Sequence, residues 1–170
     1  GTLTISGTTT LVTSANDATI TLDDTSNTFT GAMTITTNDS SGKDADVTID
    51  GGTTALIIDT STIDGDLTLT SGNSSGITDN NTVTVGGNFS ATTDANNGVI
   101  NMGTMAVDGT VALNTNGNGA ATIVNDAGLN FAASTVRGAL SATATTGNIT
   151  DAGTLTISGT TTLVTSANDA

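Results

Sequence analysis

The chain has 170 residues and a net charge of −14, with 16 Asp set against Lys43 and Arg137 as its only bases. It contains no Cys, His, Glu, Gln, Pro, Trp or Tyr, which excludes zinc and haem sites, a thiol nucleophile and a Ser–His–Asp triad. Two bases cannot neutralise a run of phosphates, and no segment is long and apolar enough to cross a membrane as a helix, so nucleic acid and membrane insertion are excluded as well.

Residues 1–18 read GTLTISGTTTLVTSANDA, and residues 153–170 read the same. The offset of 152 defines a tandem unit: residues 1–152 are one unit and residues 153–170 begin the next, as expected of an excerpt from a longer repeat array. Within the unit, Gly7, Gly31, Gly65, Gly87, Gly109, Gly138 and Gly159 serve as anchors. Two residues before each lie Ile5, Phe29, Ile63, Val85, Val107, Val136 and Ile157. Two after lie Thr9, Met33, Leu67, Phe89, Val111, Leu140 and Thr161. Alternation with period two is the signature of a strand with one buried face. Each anchor therefore reads as a corner between two strands, where Gly accepts positive φ or close backbone approach.

A third strand falls between successive anchors and closes on Leu22-Asp23-Asp24, Ile49-Asp50, Ile77-Thr78-Asp79, Ile100-Asn101-Met102, Val124-Asn125-Asp126 and Ile149-Thr150-Asp151. Six anchor steps in 152 residues give six coils of about 25 residues each. Extra residues go to loops over 38–46, over 51–60, and over 117–121 or 132–135. The expected fold is all-β: a right-handed parallel β-helix (β-solenoid), three strands per coil. The handedness follows from the rule for parallel crossovers. A narrow coil suits a core of small aliphatic side chains, in line with an aromatic content of 2%.

The segments GTLTISGTTTLVTSANDATITLDD, NTFTGAMTITT and NITDAGTLTISGTTTL resemble the β-strand repeats of filamentous-haemagglutinin-like exoproteins and related giant adhesins of the bacterial surface. The resemblance implies secretion across the outer membrane, a long β-helical fibre, and a role in adhesion, biofilm or sheath. It carries no catalytic residue over to this chain. The expected function is thus a structural, extracellular fibre, stalk or sheath at the bacterial cell surface, not an enzyme, with further copies of itself as partner. A glycan- or surface-gripping adhesin is the first alternative. A polysaccharide-acting β-helix enzyme is the second.

No cofactor is expected. Asp24, Asp50, Asp79, Asp126 and Asp151 read as one column, each capping a turn through nearby backbone N–H groups. Stacked carboxylates repel by about 1 kcal/mol in water, and a hard cation would relieve this. A loose Ca2+ site would draw on Asp44, Asp46, Asp50, Asp59, Asp64 and Asp66, where carboxylates are densest. Thr-x-Thr runs such as Thr82/Thr84 and Thr154/Thr156 suggest an ice-binding face, but Asp64, Ala106 and Arg137 interrupt the expected outward ranks.

Overall fold

β-Branched side chains favour an extended backbone, and the pleat sends successive residues to opposite faces. The alternating Thr, Val, Ile and Leu accordingly form short strands throughout. The computed structural model describes residues 1–166, over which there are twenty-one strands and no helix. Residues 167–170, the end of the second repeat copy, lie outside the described residues.

The strands run turn by turn. Turn one holds β1 (Thr4–Ile5), β2 (Thr9–Val12) and β3 (Ile20–Leu22), and turn two β4 (Thr28–Phe29), β5 (Met33–Thr36) and β6 (Val47–Asp50). Turn three has β7 (Leu56–Ile58), β8 (Ser61–Ile63) and β9 (Leu67–Ser71), and turn four β10 (Ile77–Asp79), β11 (Val83–Val85) and β12 (Phe89–Asn96). Turn five needs only two long strands, β13 (Ile100–Val107) and β14 (Thr110–Asn116), and turn six only β15 (Ala121–Asn125) and β16 (Leu129–Phe131). Turn seven holds β17 (Ser134–Val136), β18 (Leu140–Ala144) and β19 (Ile149–Asp151), and turn eight opens with β20 (Leu155–Ile157) and β21 (Thr161–Thr165).

Among the described residues every strand pair is parallel, and all but one join strands of successive turns; the exception is β14, whose Asn114 lies opposite Thr135 of β17. The first long sheet climbs through β2, β5, β7, β10, β13, β15, β18 and β21. The second climbs through β3, β6, β9, β12, β14, β16 and β19, and a small sheet joins β1 to β4. The chain is a β-solenoid of about eight turns, about 21 residues each.

The coil length is a correction. The anchor spacing gives about 25 residues and six coils per 152-residue unit, whereas the first sheet takes seven steps from β2 to β21. Individual turns run from 19 residues, Ala121 to Leu140, to 27, Ile20 to Val47. The anchors undercount because they mark two different corners. Gly7, Gly31, Gly138 and Gly159 precede strands of the first sheet, and Gly65, Gly87 and Gly109 precede strands of the second. The step from Gly109 to Gly138 therefore passes over turn six, whose own corner glycines are Gly119 and Gly128.

The third strand also changes place. In turns one, two, seven and eight it precedes the first-sheet strand, as β1, β4, β17 and β20. In turns three and four it follows, as β8 and β11, and in turn five it fuses into β13, whose Met105–Val107 pair with β11.

The interior is one continuous apolar column. Phe29, Phe89, Phe131, Met33, Ile49, Leu69, Val85, Leu113 and Val136 are fully buried, while the intervening Thr68, Thr84, Ser90 and Ala112 are partly exposed. Ile5, on the first turn, is only half-buried. Burying each Leu, Ile or Phe contributes about 1.5–3 kcal/mol.

Where inserted residues break a ladder, buried polar side chains replace the missing bonds. Ser61 Oγ accepts the Ile35 N–H at 3.0 Å, and Ser134 Oγ accepts the Leu113 N–H at 3.1 Å. Each follows a two-residue break, Asp59-Thr60 or Ala132-Ala133, that pushes the chain out of register. Asn125 bonds both backbone groups of Val107, accepting at 2.8 Å and donating at 3.1 Å, and donates to the Gly128 carbonyl at 2.8 Å.

Candidate functional site

The corners are where this chain concentrates its special residues. At the second corner, Gly65, Gly87 and Gly109 lie one above another: Gly87 N–H donates to Gly65 O at 2.9 Å, and Gly109 N–H to Gly87 O at 3.0 Å. At the first corner, Gly138 N–H donates to Gly119 O at 2.8 Å, and Gly159 N–H to Gly138 O at 3.0 Å. A Cβ on Gly31 would come within 2.5 Å of Gly7 O, and one on Gly87 within 2.7 Å of Gly65 C. None of the seven anchors has positive φ; the glycines that do are Gly42, Gly52, Gly76, Gly117 and Gly147. Close approach between turns, not left-handed backbone, is what calls for glycine at six of the anchors; a Cβ on Gly7, in the first turn, would meet nothing within 4 Å.

A side-chain ladder runs beside the second corner. Asp46 Oδ1 accepts the Asp66 N–H at 2.8 Å, Asp66 Oδ1 accepts the Asn88 N–H at 2.6 Å, and Asn88 Oδ1 accepts the Thr110 N–H at 2.9 Å. Each side chain thus caps the matching backbone group of the following turn, satisfying a donor that the corner leaves free. The residue after each anchor glycine carries the signal: Asp66, Asn88 and Thr110 follow Gly65, Gly87 and Gly109.

The expected Asp column is not formed. Asp50 and Asp151 lie in the second sheet, opposite Thr70 and Phe131, and Asp79 lies in the first, opposite Ile58. Asp126 follows β15 of the first sheet, with its N–H bonded to Met105 O, and Asp24 follows β3 of the second. Turn capping nevertheless describes what several of these carboxylates do. Asp24 accepts the Ser26 N–H at 2.9 Å, Asp50 the Gly52 N–H at 2.7 Å, and Asp79 the Gly103 and Thr104 N–H groups at 2.8 and 2.6 Å.

The six residues considered for Ca2+ are held apart on separate tasks. Asp46, Asp50 and Asp66 cap backbone groups as above. Asp64 accepts the Asp39 N–H at 3.0 Å, and Asp59 accepts the Thr60 N–H at 2.7 Å and the Asn81 amide at 2.6 Å. Asp44 is exposed in the 37–46 loop, with its carbonyl accepting the Asp46 N–H at 2.9 Å. Among the described residues no three carboxylates converge as a cation site requires.

The titration behaviour follows from these contacts. The Asn81 amide, with the Thr60 N–H, holds the Asp59 carboxyl below its ordinary value, and the Ser26 N–H does the same for Asp24. The carboxyls of Asp17 and Asp39 act on one another, which lowers Asp17, whose carboxylate also accepts the Ser40 N–H, and raises Asp39.

The broad sheet faces carry almost no charge. Outside Asp50, Asp79, Asp94 and Asp151, the described aspartates lie in turns between strands. One outward rank of the second sheet runs Thr21, Thr48, Thr68, Ser90, Ala112, and its neighbour runs Asp50, Thr70, Thr92, Asn114, Thr135, Thr156. These ranks differ from those read off the anchors, because the register passes through two corners. Ala112 ends the first and Asp50 opens the second. A shallow groove lies between Thr82, Thr104, Val124 and Asp126, with Asp126 its one carboxylate; hydrolysis of a glycosidic bond takes a facing pair.

The family described as Repeats of unknown function (DUF5649) matches residues 1–36 and 118–170, which is 89 of the 170 residues. The chain belongs to this family. The matched stretches contain both copies of the repeated segment and the turns on which each is stacked, and over the described residues they are solenoid turns in this chain. No curated protein and no solved structure matches the chain.

Proposed function

We propose that the chain is a stretch of a long extracellular solenoid that serves as a fibre, stalk or sheath on or around a bacterial cell. The observation that carries this reading is the phase of the repeat. Residues 1–14 and 153–166 are identical, and they take the same place in the fold a whole number of turns apart: β1, Gly7 and β2 in turn one, β20, Gly159 and β21 in turn eight. Tandem copies of the unit can therefore follow one another with the ladders unbroken and no change of corner. Such a fold gains length without gaining a new kind of contact, which is what a fibre needs.

The composition favours the same role. The chain lacks His and Cys, and most of its described aspartates lie in turns. The resemblance to secreted bacterial exoproteins supports a location outside the cell. A second reading, a grip on a neutral, hydroxyl-rich glycan surface, rests on the Thr, Ser and Asn ranks of the second sheet, in which Asp50 is the one charge.

Immunogold labelling of intact source cells with antibody raised against the 170-residue chain tests the proposal. Label along filaments or a layer outside the cell envelope is the expected result. Label confined to the interior would overturn it.

A further inference from the structure

Three Asn-Gly pairs, Asn97-Gly98, Asn116-Gly117 and Asn118-Gly119, lie together at the turn that leads from the second sheet back to the first. Asn-Gly is the dipeptide most open to spontaneous deamidation, because Gly leaves the attacking backbone nitrogen unshielded. The fold treats the three pairs differently. Gly98 and Gly119 are buried, and their N–H groups are tied to backbone carbonyls, Gly98 to Ala95 O at 3.1 Å and Gly119 to Asn116 O at 3.0 Å. Gly117 is exposed, and its N–H points at the side chain of the residue before it, 2.8 Å from Asn116 Oδ1.

We propose that Asn116 is a self-modification site, a position at which the folded chain deamidates while Asn97 and Asn118 are protected. A base in solution, hydroxide or a buffer anion, removes the Gly117 amide proton. The nitrogen lone pair is then left facing the Asn116 carboxamide. It attacks Cγ, a C–N bond forms, and the Cγ–Nδ2 bond breaks with ammonia leaving. Water opens the resulting succinimide at either carbonyl and yields Asp or isoaspartate at position 116. At Gly98 and Gly119 the N–H is bonded to a backbone carbonyl rather than to the preceding carboxamide, and the residue is buried, so those pairs react only when the turn opens.

The product alters the corner. Asn116 Nδ2 donates to Asp94 O at 2.9 Å, a bond between successive turns. The carboxylate that replaces the amide cannot donate, and isoaspartate also lengthens the backbone there. An extracellular fibre that is not replaced would gather this change with age at one corner of each unit.

The test is peptide mapping by mass spectrometry after prolonged incubation of the 170-residue chain in mildly alkaline buffer, folded and in urea. Cleavage before Asp94, Asp108 and Asp126 separates Asn97 from Asn116 and Asn118, and fragment ions separate the last two. In the folded protein Asn116 should convert about tenfold or more faster than either neighbour, since each ~1.4 kcal/mol of opening cost is a factor of ten in rate. In urea the three pairs should react at similar rates, and Asn116→Gln should abolish the folded-state signal. Comparable rates at the three pairs in the folded chain, or faster reaction at Asn97 or Asn118, would overturn the proposal.

Discussion

Replacing Gly87 by Ala tests the claim that the corners are held by contact between turns. The new Cβ would lie 2.7 Å from Gly65 C and 2.8 Å from Gly65 O. Neither backbone can yield freely: Gly87 N–H donates to Gly65 O, and Gly109 N–H donates in turn to Gly87 O. Ordinary van der Waals separation would require the turns to part by a few tenths of an ångström or more, at the expense of the 2.9 Å bond. Overpacking costs about 1–3 kcal/mol, and a weakened hydrogen bond adds up to about 1 kcal/mol. The expected loss is about 1–4 kcal/mol, or a fall in Tm of about 2–16 °C for a chain of this size. Gly103→Ala is the matched control, since its Cβ meets only Asp79 Oδ1, at 3.9 Å. Gly103 has no positive φ, so the control should stay within about 0.5 kcal/mol of the parent. Urea and thermal unfolding followed by circular dichroism measure both. A Gly87→Ala chain as stable as the parent, or a control that loses as much, would refute the contact argument.

Other outcomes follow from the same contacts. Asn125→Ala leaves both backbone groups of Val107 without their partner and should cost about 2–4 kcal/mol, while Ser134→Ala orphans only the Leu113 N–H and should cost about 1–3 kcal/mol; urea midpoints that rank them the other way would contradict this. Asp24 and Asp59 have lowered pKa values in the fold, so their stabilisation is full above the unfolded value and is lost as pH falls through the folded one. Asp39 is raised, so its contribution is full at lower pH and is lost as pH rises through its folded value. Stability measured from neutral pH into the acid range should therefore fall less steeply for Asp59→Asn than for the parent; parallel curves would count against the assignment. CaCl2 and NaCl at matched ionic strength should give the same melting curve, because no three described carboxylates converge; a specific rise with Ca2+ would show a site that the geometry does not contain.

Much of the fold was legible in the sequence because alternation is enforced by a single interior. Phe29, Val85, Phe89 and Leu113 face inward wherever their strands lie. The number of turns was not legible. Period two looks the same on every side of a solenoid, so Ile-x-Gly-x-Thr around Gly7 and Val-x-Gly-x-Phe around Gly87 do not reveal that they mark different corners. The same ambiguity aligned Asp79 with Asp50, although their strands belong to different sheets. The polar replacements at ladder breaks did leave a signal. Ser61-Thr62-Ile63 and Ser134-Thr135-Val136 share the pattern Ser-Thr-branched apolar, with the Ser buried in both. Asn125 left less, since Val-Asn-Asp also reads as an ordinary turn.

The central claim is that the 152-residue unit adds a whole number of turns and continues the solenoid in phase. Chains of one, two and three units, compared by small-angle X-ray scattering, test it most directly. Seven steps of strand spacing should add about 34 Å of length per unit, with the cross-section unchanged. A thicker particle, or a length that fails to grow in proportion to the number of units, would contradict the account.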